Sequence, residues 1–128
     1  FDRTLSRRYN TPERIELLRT FLRANRMNRL EIVLHDTDAI VRDLPRLVLL
    51  TQQFSHAIVI RRTRPRARHA QDAIVIADEV HHLHRFHCDH PRAAVAFDDP
   101  LGTADLARRF EEILESSDVA VTGTRLGL

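Results

Sequence analysis

The chain has 128 residues, 43% apolar and 30% charged; its twenty basic side chains are all arginine, set against eighteen acidic ones for a formal charge of +2. That size holds one domain with a modest core, since a chain this long buries roughly two-thirds of its unfolded surface, and the composition excludes wholesale disorder. A single cysteine, Cys88, excludes an internal disulfide; no apolar run approaches the ~20 residues that span a bilayer, and the near-balanced charge does not by itself imply nucleic acid.

The pattern is helical from Thr11, which can cap, through Pro12 at the first helical position and Glu13 at the positive end. Ile15, Leu18 and Leu22 repeat at helical spacing, Leu17 and Phe21 widen the stripe, and the helix should fade between Asn25 and Asn28. Leu30 to Leu34 reads as a buried strand ended by His35 and Asp36, with Asp36 either a functional carboxylate or a cap for the next turn. Asp43 and Pro45 open a second helix through Phe54, with Leu47, Leu50 and Phe54 on one face and Val48 and Leu49 beside them. Ala57 to Ile60 is a second strand, and strand, helix, strand in that order argues for a right-handed crossover and a parallel pair.

The stretch from Arg61 to His69 has five arginines, a proline and no apolar period, and reads as a solvated loop. Three strand candidates follow, Asp72 to Val80, His81 to Cys88 and Arg92 to Phe97, with turns expected near Glu79 and at Asp89-His90-Pro91; they should add antiparallel strands to the same sheet. Asp99-Pro100 starts a last helix with Leu106, Phe110, Ile113 and Leu114 inward and Arg108, Arg109, Glu111 and Glu112 outward. Beyond it, the tail from Ser116 to Leu128 could be mobile or could dock as an extra strand through Val119 to Val121. The expected organisation is an N-terminal segment and leading helix over 1–29, an α/β domain over 30–117 and a tail over 118–128.

Two stretches, Asp72-Ala-Ile-Val-Ile-Ala-Asp78-Glu79 and Phe110-Glu-Glu-Ile-Leu114-Glu-Ser-Ser117, taken with this element order, resemble one half of a phospholipase D-like domain. The chain is more similar still to an uncharacterised bacterial domain of that type found C-terminal to Gcn5-related acetyltransferases. The resemblance implies an α/β fold with a mixed β-sheet flanked by helices, a homodimer formed through sheets and helices, and a linked or partner acetyltransferase domain. Active members of that superfamily use His-x-Lys-x4-Asp, the histidine attacking phosphorus and the lysine holding phosphate charge. With Asp78 on the aspartate, the lysine position is Ala73 and the histidine position Gln71; with His69 on the histidine, Gln71 and Ile76 take the other two places. Neither register supplies nucleophile and phosphate clamp together. The resemblance therefore implies a non-catalytic accessory or assembly domain, with no catalytic residue, no cofactor and no phosphodiesterase activity.

Histidines crowd one segment: His81, His82, His84, His87 and His90 lie beside Cys88 and Asp89. On a strand His82 and His84 share a face, so these two with Cys88 and His90 could hold a transition metal, but the spacing matches no zinc signature and half-exposed sheet and turn histidines are the plainer reading. Several imidazoles so close together could also respond to pH. The adjacency of His87 and Cys88 works against a thiolate–imidazole pair, since strand neighbours point to opposite faces. Arg61, Arg62, Arg64, Arg66, Arg68 and His69 could contact phosphates or a partner's acidic surface. Stacking aromatics are missing nearby, so a nucleic-acid ligand is an alternative rather than the expectation, and a degenerate phosphodiesterase using histidines outside the motif is another. No membrane partner is expected. The chain starts at Phe1 without an initiator methionine or signal-peptide pattern, which reads as a piece of a longer, cytoplasmic protein.

Overall fold

The computed structural model describes residues 1–121, and the part of the expected tail beyond them lies outside the described residues. Helix α1, Pro12–Ala24, begins as its sequence dictates, the Thr11 hydroxyl accepting the Arg14 N–H at 3.4 Å and Pro12 spending a position whose N–H would go unbonded. It buries Ile15 and Leu22, whereas Leu17, expected to widen the stripe, is exposed because the helix rests on the core along one narrow line. After β1, Leu30–Leu34, the Asp36 carboxylate accepts the Asp38 N–H at 2.9 Å and so caps the turn. A short helix α2, Ile40–Asp43, not anticipated from the sequence, precedes α3, Pro45–Gln53, which buries Leu47, Val48, Leu50 and Thr51 and leaves Leu49 outside.

Strand β2, Ile58–Thr63, pairs parallel with β1, from Leu30 opposite Ile58 to Leu34 opposite Arg62. It runs three residues further than expected, so Arg61 and Arg62 are strand residues and only the remainder of the arginine segment is loop, including a 3-10 turn at Pro65–Ala67. The extension has a cause: β6, Ser117–Val121, docks antiparallel along β2 and supplies partners for Arg61, Arg62 and Thr63. The sheet β1-β2-β6 is therefore mixed. One face, with Leu34, Ile58 and Ile60, packs on Ile15, Leu22, Leu47 and Leu50, while Val33 joins a second core with Phe1, Ala70, Ile74 and Ile113.

The other three strands, β3 (Ala73–Ala77), β4 (His81–Arg85) and β5 (Ala93–Ala96), are antiparallel as expected but form a sheet of their own, a correction to the single sheet expected. In the mixed sheet β2 lies between β1 and β6, and among the described residues no ladder joins β3 to either of those edge strands. The β3–β4 turn runs through Asp78 and Glu79 at φ 55° and 62°, the left-handed pair that a tight hairpin requires, at about 1 kcal/mol each for a residue with a Cβ. Helix α4, Pro100–Glu115, starts at Asp99, whose carboxylate accepts the Gly102 N–H at 3.0 Å and fills the space a Cβ at Gly102 would need. It packs Leu106, Phe110, Ile113 and Leu114 against Ile74 and Ile76. The molecule is thus an α/β fold with helices against the mixed sheet on one side and α4 with the antiparallel sheet on the other.

Leu49 and Leu50 are neighbours with opposite fates. Leu50→Ala should cost about 3 kcal/mol in urea unfolding, as a buried cavity does, and Leu49→Ala less than about 0.5 kcal/mol; equal losses would show that α3 is rotated from the position described.

Candidate functional site

Strand alternation gives the antiparallel sheet two unlike faces. On the inner face, toward α4, His82 and His84 follow Ile74 and Ile76 in the ladder. His82 Nδ1 lies 2.8 Å from the hydroxyl of the fully buried Thr103 on α4, and His84 Nε2 lies 2.8 Å from Asp72 Oδ2. Asp72, just ahead of β3, is only 8% exposed, and Arg109 of α4 closes on it in a fork, Nε to Oδ2 at 3.0 Å and a terminal nitrogen to Oδ1 at 2.7 Å. A carboxylate this far out of water is costly unless its lone pairs are met by charge and hydrogen bonds, and here both oxygens are. Burial alone would raise the Asp72 pKa, but hydrogen bonds from Arg109 and His84 outweigh it and hold the carboxyl below its ordinary value, while the carboxylate raises Arg109. Arg109, read as an outward residue in the sequence, is therefore a tie; an arginine one turn before the inward Ile113 gives no sign of its carboxylate until the strands are placed.

An aspartate bound to one imidazole nitrogen could support proton transfer at the other. Two surface hollows, one lined by Asn25, Met27, Arg29 and His56 and one by Ile15, Arg19, Arg46 and Gln53, lie away from Asp72, His84 and Arg109.

His35, seen in the sequence only as the end of β1, is buried and ties three segments. Its Nε2 donates to the Ala70 carbonyl at 2.5 Å, which leaves Nδ1 to accept the Thr63 hydroxyl at 2.6 Å, and the Phe1 ring meets it edge-on at 5.0 Å. Both bonds sit on polar atoms that would otherwise be buried alone, and among the described residues no buried side-chain nitrogen or oxygen lacks a partner.

The arginine segment does not converge on one point. Arg61 donates to Ser117 Oγ at 2.8 Å and to its carbonyl at 2.9 Å, Arg62 reaches Asp38 at 3.3 Å, and Arg64 forks onto Asp118, its terminal nitrogen at 2.6 Å. Arg66 and Arg68 are exposed on the 3-10 turn, and His69 Nδ1 lies 3.0 Å from the Arg66 carbonyl. Gln71 and Ala73, at the motif's histidine and lysine positions, sit before and at the start of β3; Gln71 donates to the Arg68 carbonyl at 3.0 Å.

His82, His84, Cys88 and His90 do not gather, which corrects that candidate set: the first two face α4 and are engaged there, whereas Cys88 and His90 lie in the β4–β5 turn. The one group of three or more metal-competent side chains among the described residues is His87, Cys88 and Asp89.

The arrangement defines a small α/β domain built on a mixed sheet and an antiparallel one. Residues 3–122 match a family described as Domain of unknown function (DUF7931), and the chain belongs to that family. No curated protein and no solved structure matches it. No helix among the described residues is long and apolar enough to cross a membrane.

Because its folded-state pKa is depressed, Asp72 contributes stability that is fully present above its ordinary value of 3.8 and is lost as pH falls through the lower folded value. Asp72→Asn should cost about 2 kcal/mol near neutral pH, less than a fully buried pair because Arg109 is 43% exposed. It should also flatten the decline of stability below pH ~4. Urea melts at several pH values read both effects, and an unchanged acid limb would remove Asp72 from this role.

Proposed function

We propose that the protein is a non-catalytic, phospholipase D-like assembly domain, and that the outer face of its antiparallel sheet docks on a second copy of the chain. The observation that carries this is a row of bare apolar side chains crossing the sheet. Val75, Leu83 and Val95 stand opposite one another in the ladder and are 53%, 36% and 56% exposed, and Phe97, 75% exposed, continues the face beside the His81 ring at 5.8 Å. Hydrophobic residues scattered singly on a surface need no explanation; three in register on one sheet face, with α4 already committed to the other, do.

The ends of the sheet say which partner fits. Arg85, which shares the face of Leu83, lies at one end, where β4 leaves. Asp78, Glu79 and Asp98 lie at the other, and the Asp98 carboxylate is 3.9 Å from His81 on the outer face. A two-fold axis in the plane of the face, crossing the strands, reverses strand direction and sets the basic end of each copy over the acidic end of the other. The face is thus self-complementary in charge as well as in apolar character. Three strands ~4.8 Å apart and about five residues long cover roughly 14 by 16 Å, well under the ~800 Å² per partner of a standard interface. The expected dimer is accordingly weak.

A non-catalytic role is supported by Gln71 and Ala73 at the motif positions. The single cysteine fits a cytoplasmic setting, and the resemblance supports a place beside an acetyltransferase domain. Sedimentation from ~1 to ~500 μM should show a reversible monomer–dimer equilibrium. Leu83→Glu, which sets two carboxylates together in the centre of the interface, should weaken it more than ~tenfold while leaving thermal unfolding of the monomer nearly unchanged. A chain that stays monomeric throughout, or a variant that dimerises as before, overturns the reading. Bis-p-nitrophenyl phosphate should not be hydrolysed, and turnover that disappears in His69→Ala or His84→Ala would restore the enzyme.

A further inference from the structure

The β4–β5 turn carries four consecutive side chains able to bind metal, His87, Cys88, Asp89 and His90. In a flexible loop such a run would mean little, but this one is held. The His90 N–H bonds the His87 carbonyl at 3.1 Å and closes the turn, and the Cys88 N–H bonds the Gln71 carbonyl at 2.6 Å, pinning its middle to the segment ahead of β3. One ligand atom from each of His87, Cys88 and Asp89 then falls within 4.8 Å of the others. Ligands of a tetrahedral ion with bonds of 2.0 to 2.3 Å lie about 3.5 Å apart, so small side-chain rotations close the group without moving the turn's backbone.

Arg3 strengthens rather than blocks this geometry. It holds Asp89 by Oδ1 at 2.8 Å, which leaves Oδ2 on the His87 side, 3.9 Å from Nδ1. A carboxylate ligand oriented by a hydrogen bond to its second oxygen is the usual support around a bound metal. His87 Nδ1 now accepts the Asp89 N–H at 3.1 Å, a single backbone bond whose lone pair an ion can take over. The Cys88 thiol donates to the Gln71 amide oxygen at 3.6 Å. The His90 ring, 5.1 Å from that of His87, is near enough to supply a fourth donor.

From these contacts we propose that the β4–β5 turn is a binding site for a borderline divalent transition ion, zinc above all, ligated by His87, Cys88 and Asp89 with His90 or water completing the shell. A nitrogen, sulfur and oxygen donor set suits that class of ion and disfavours magnesium and calcium, which take oxygen alone. On binding, the Cys88 thiol gives its proton to solvent and enters as thiolate, so affinity should rise with pH. The site is independent of dimerisation, since it needs no residue of the apolar face.

The test uses the full chain after treatment with a chelator, titrated with Co²⁺ as a spectroscopic probe and with Zn²⁺ in competition against a chromophoric chelator. The expected result is about one equivalent bound, with a thiolate-to-cobalt charge-transfer band that zinc displaces. Cys88→Ser should abolish the band, and His87→Ala and Asp89→Ala should each weaken zinc at least ~tenfold. His69→Ala and His82→Ala should leave it unchanged. Circular dichroism confirms that each variant is folded, which an exposed turn favours. Absence of the band, or tight binding that survives Cys88→Ser and falls in His69→Ala or His82→Ala, overturns the proposal.

Discussion

A carboxylate withdrawn from water must be met by opposite charge, and at Asp72 two distant parts of the chain meet it together. His84 comes from the next strand and Arg109 from a helix 37 residues further on, so one side chain fixes α4 across β3 and β4. The same helix carries Ile113 into the core that also holds Val33 of the mixed sheet. The position of each sheet relative to the other thus passes through α4, and α4 is oriented by a charge that cannot be left unpaired. Among the described residues α4 packs on the inner face of the antiparallel sheet, and the apolar side chains of the outer face stay exposed.

Much of this was legible in the residues. The caps and prolines at Thr11-Pro12 and Asp99-Pro100 placed two helix starts, and the run Leu30 to Leu34 gave β1 with its ends, because these signals are local and each has a chemical cause. Val119 to Val121 as an added strand was also readable from its alternation. What was not legible depends on partners. Alternation identifies β3, β4 and β5 as strands but not the sheet they join, which depends on the backbone partners that the rest of the fold brings alongside. Arg61 and Arg62 look like loop residues by composition and are strand residues because Val119 and Asp118 stand opposite. Of the site, the histidine-rich segment was visible, but its division was not: two rings turned inward to Thr103 and Asp72, two left in the turn beside Cys88 and Asp89.

The arginine-only composition acquires a structural sense in the same contacts. Arg109 on Asp72 and Arg64 on Asp118 are forks, with two nitrogens on one carboxylate, and Arg61 grips both the hydroxyl and the carbonyl of Ser117. An ammonium group cannot match that planar geometry. Along β2 these bonds fasten β6 to its neighbour, so a segment that by composition suggests a phosphate-binding loop acts in large part as a strap. Arg66 and Arg68, exposed on the 3-10 turn, take no part in that fastening.

The antiparallel sheet offers a partner an edge as well as a face, and the two compete. Strand β5 is an edge of four residues, Ala93 to Ala96, without an interrupting charge, the kind of strand that invites pairing with another chain. Its shortness limits the ladder, and Pro91 just ahead of it lacks the N–H with which pairing would be extended. The face has no such restriction: Val75, Leu83 and Val95 lie across all three strands, so burying them removes apolar area from every strand at once. Docking there also leaves Asp72 and its partners undisturbed on the opposite side, so a second copy can be held without reopening the charged seam that orders the sheet.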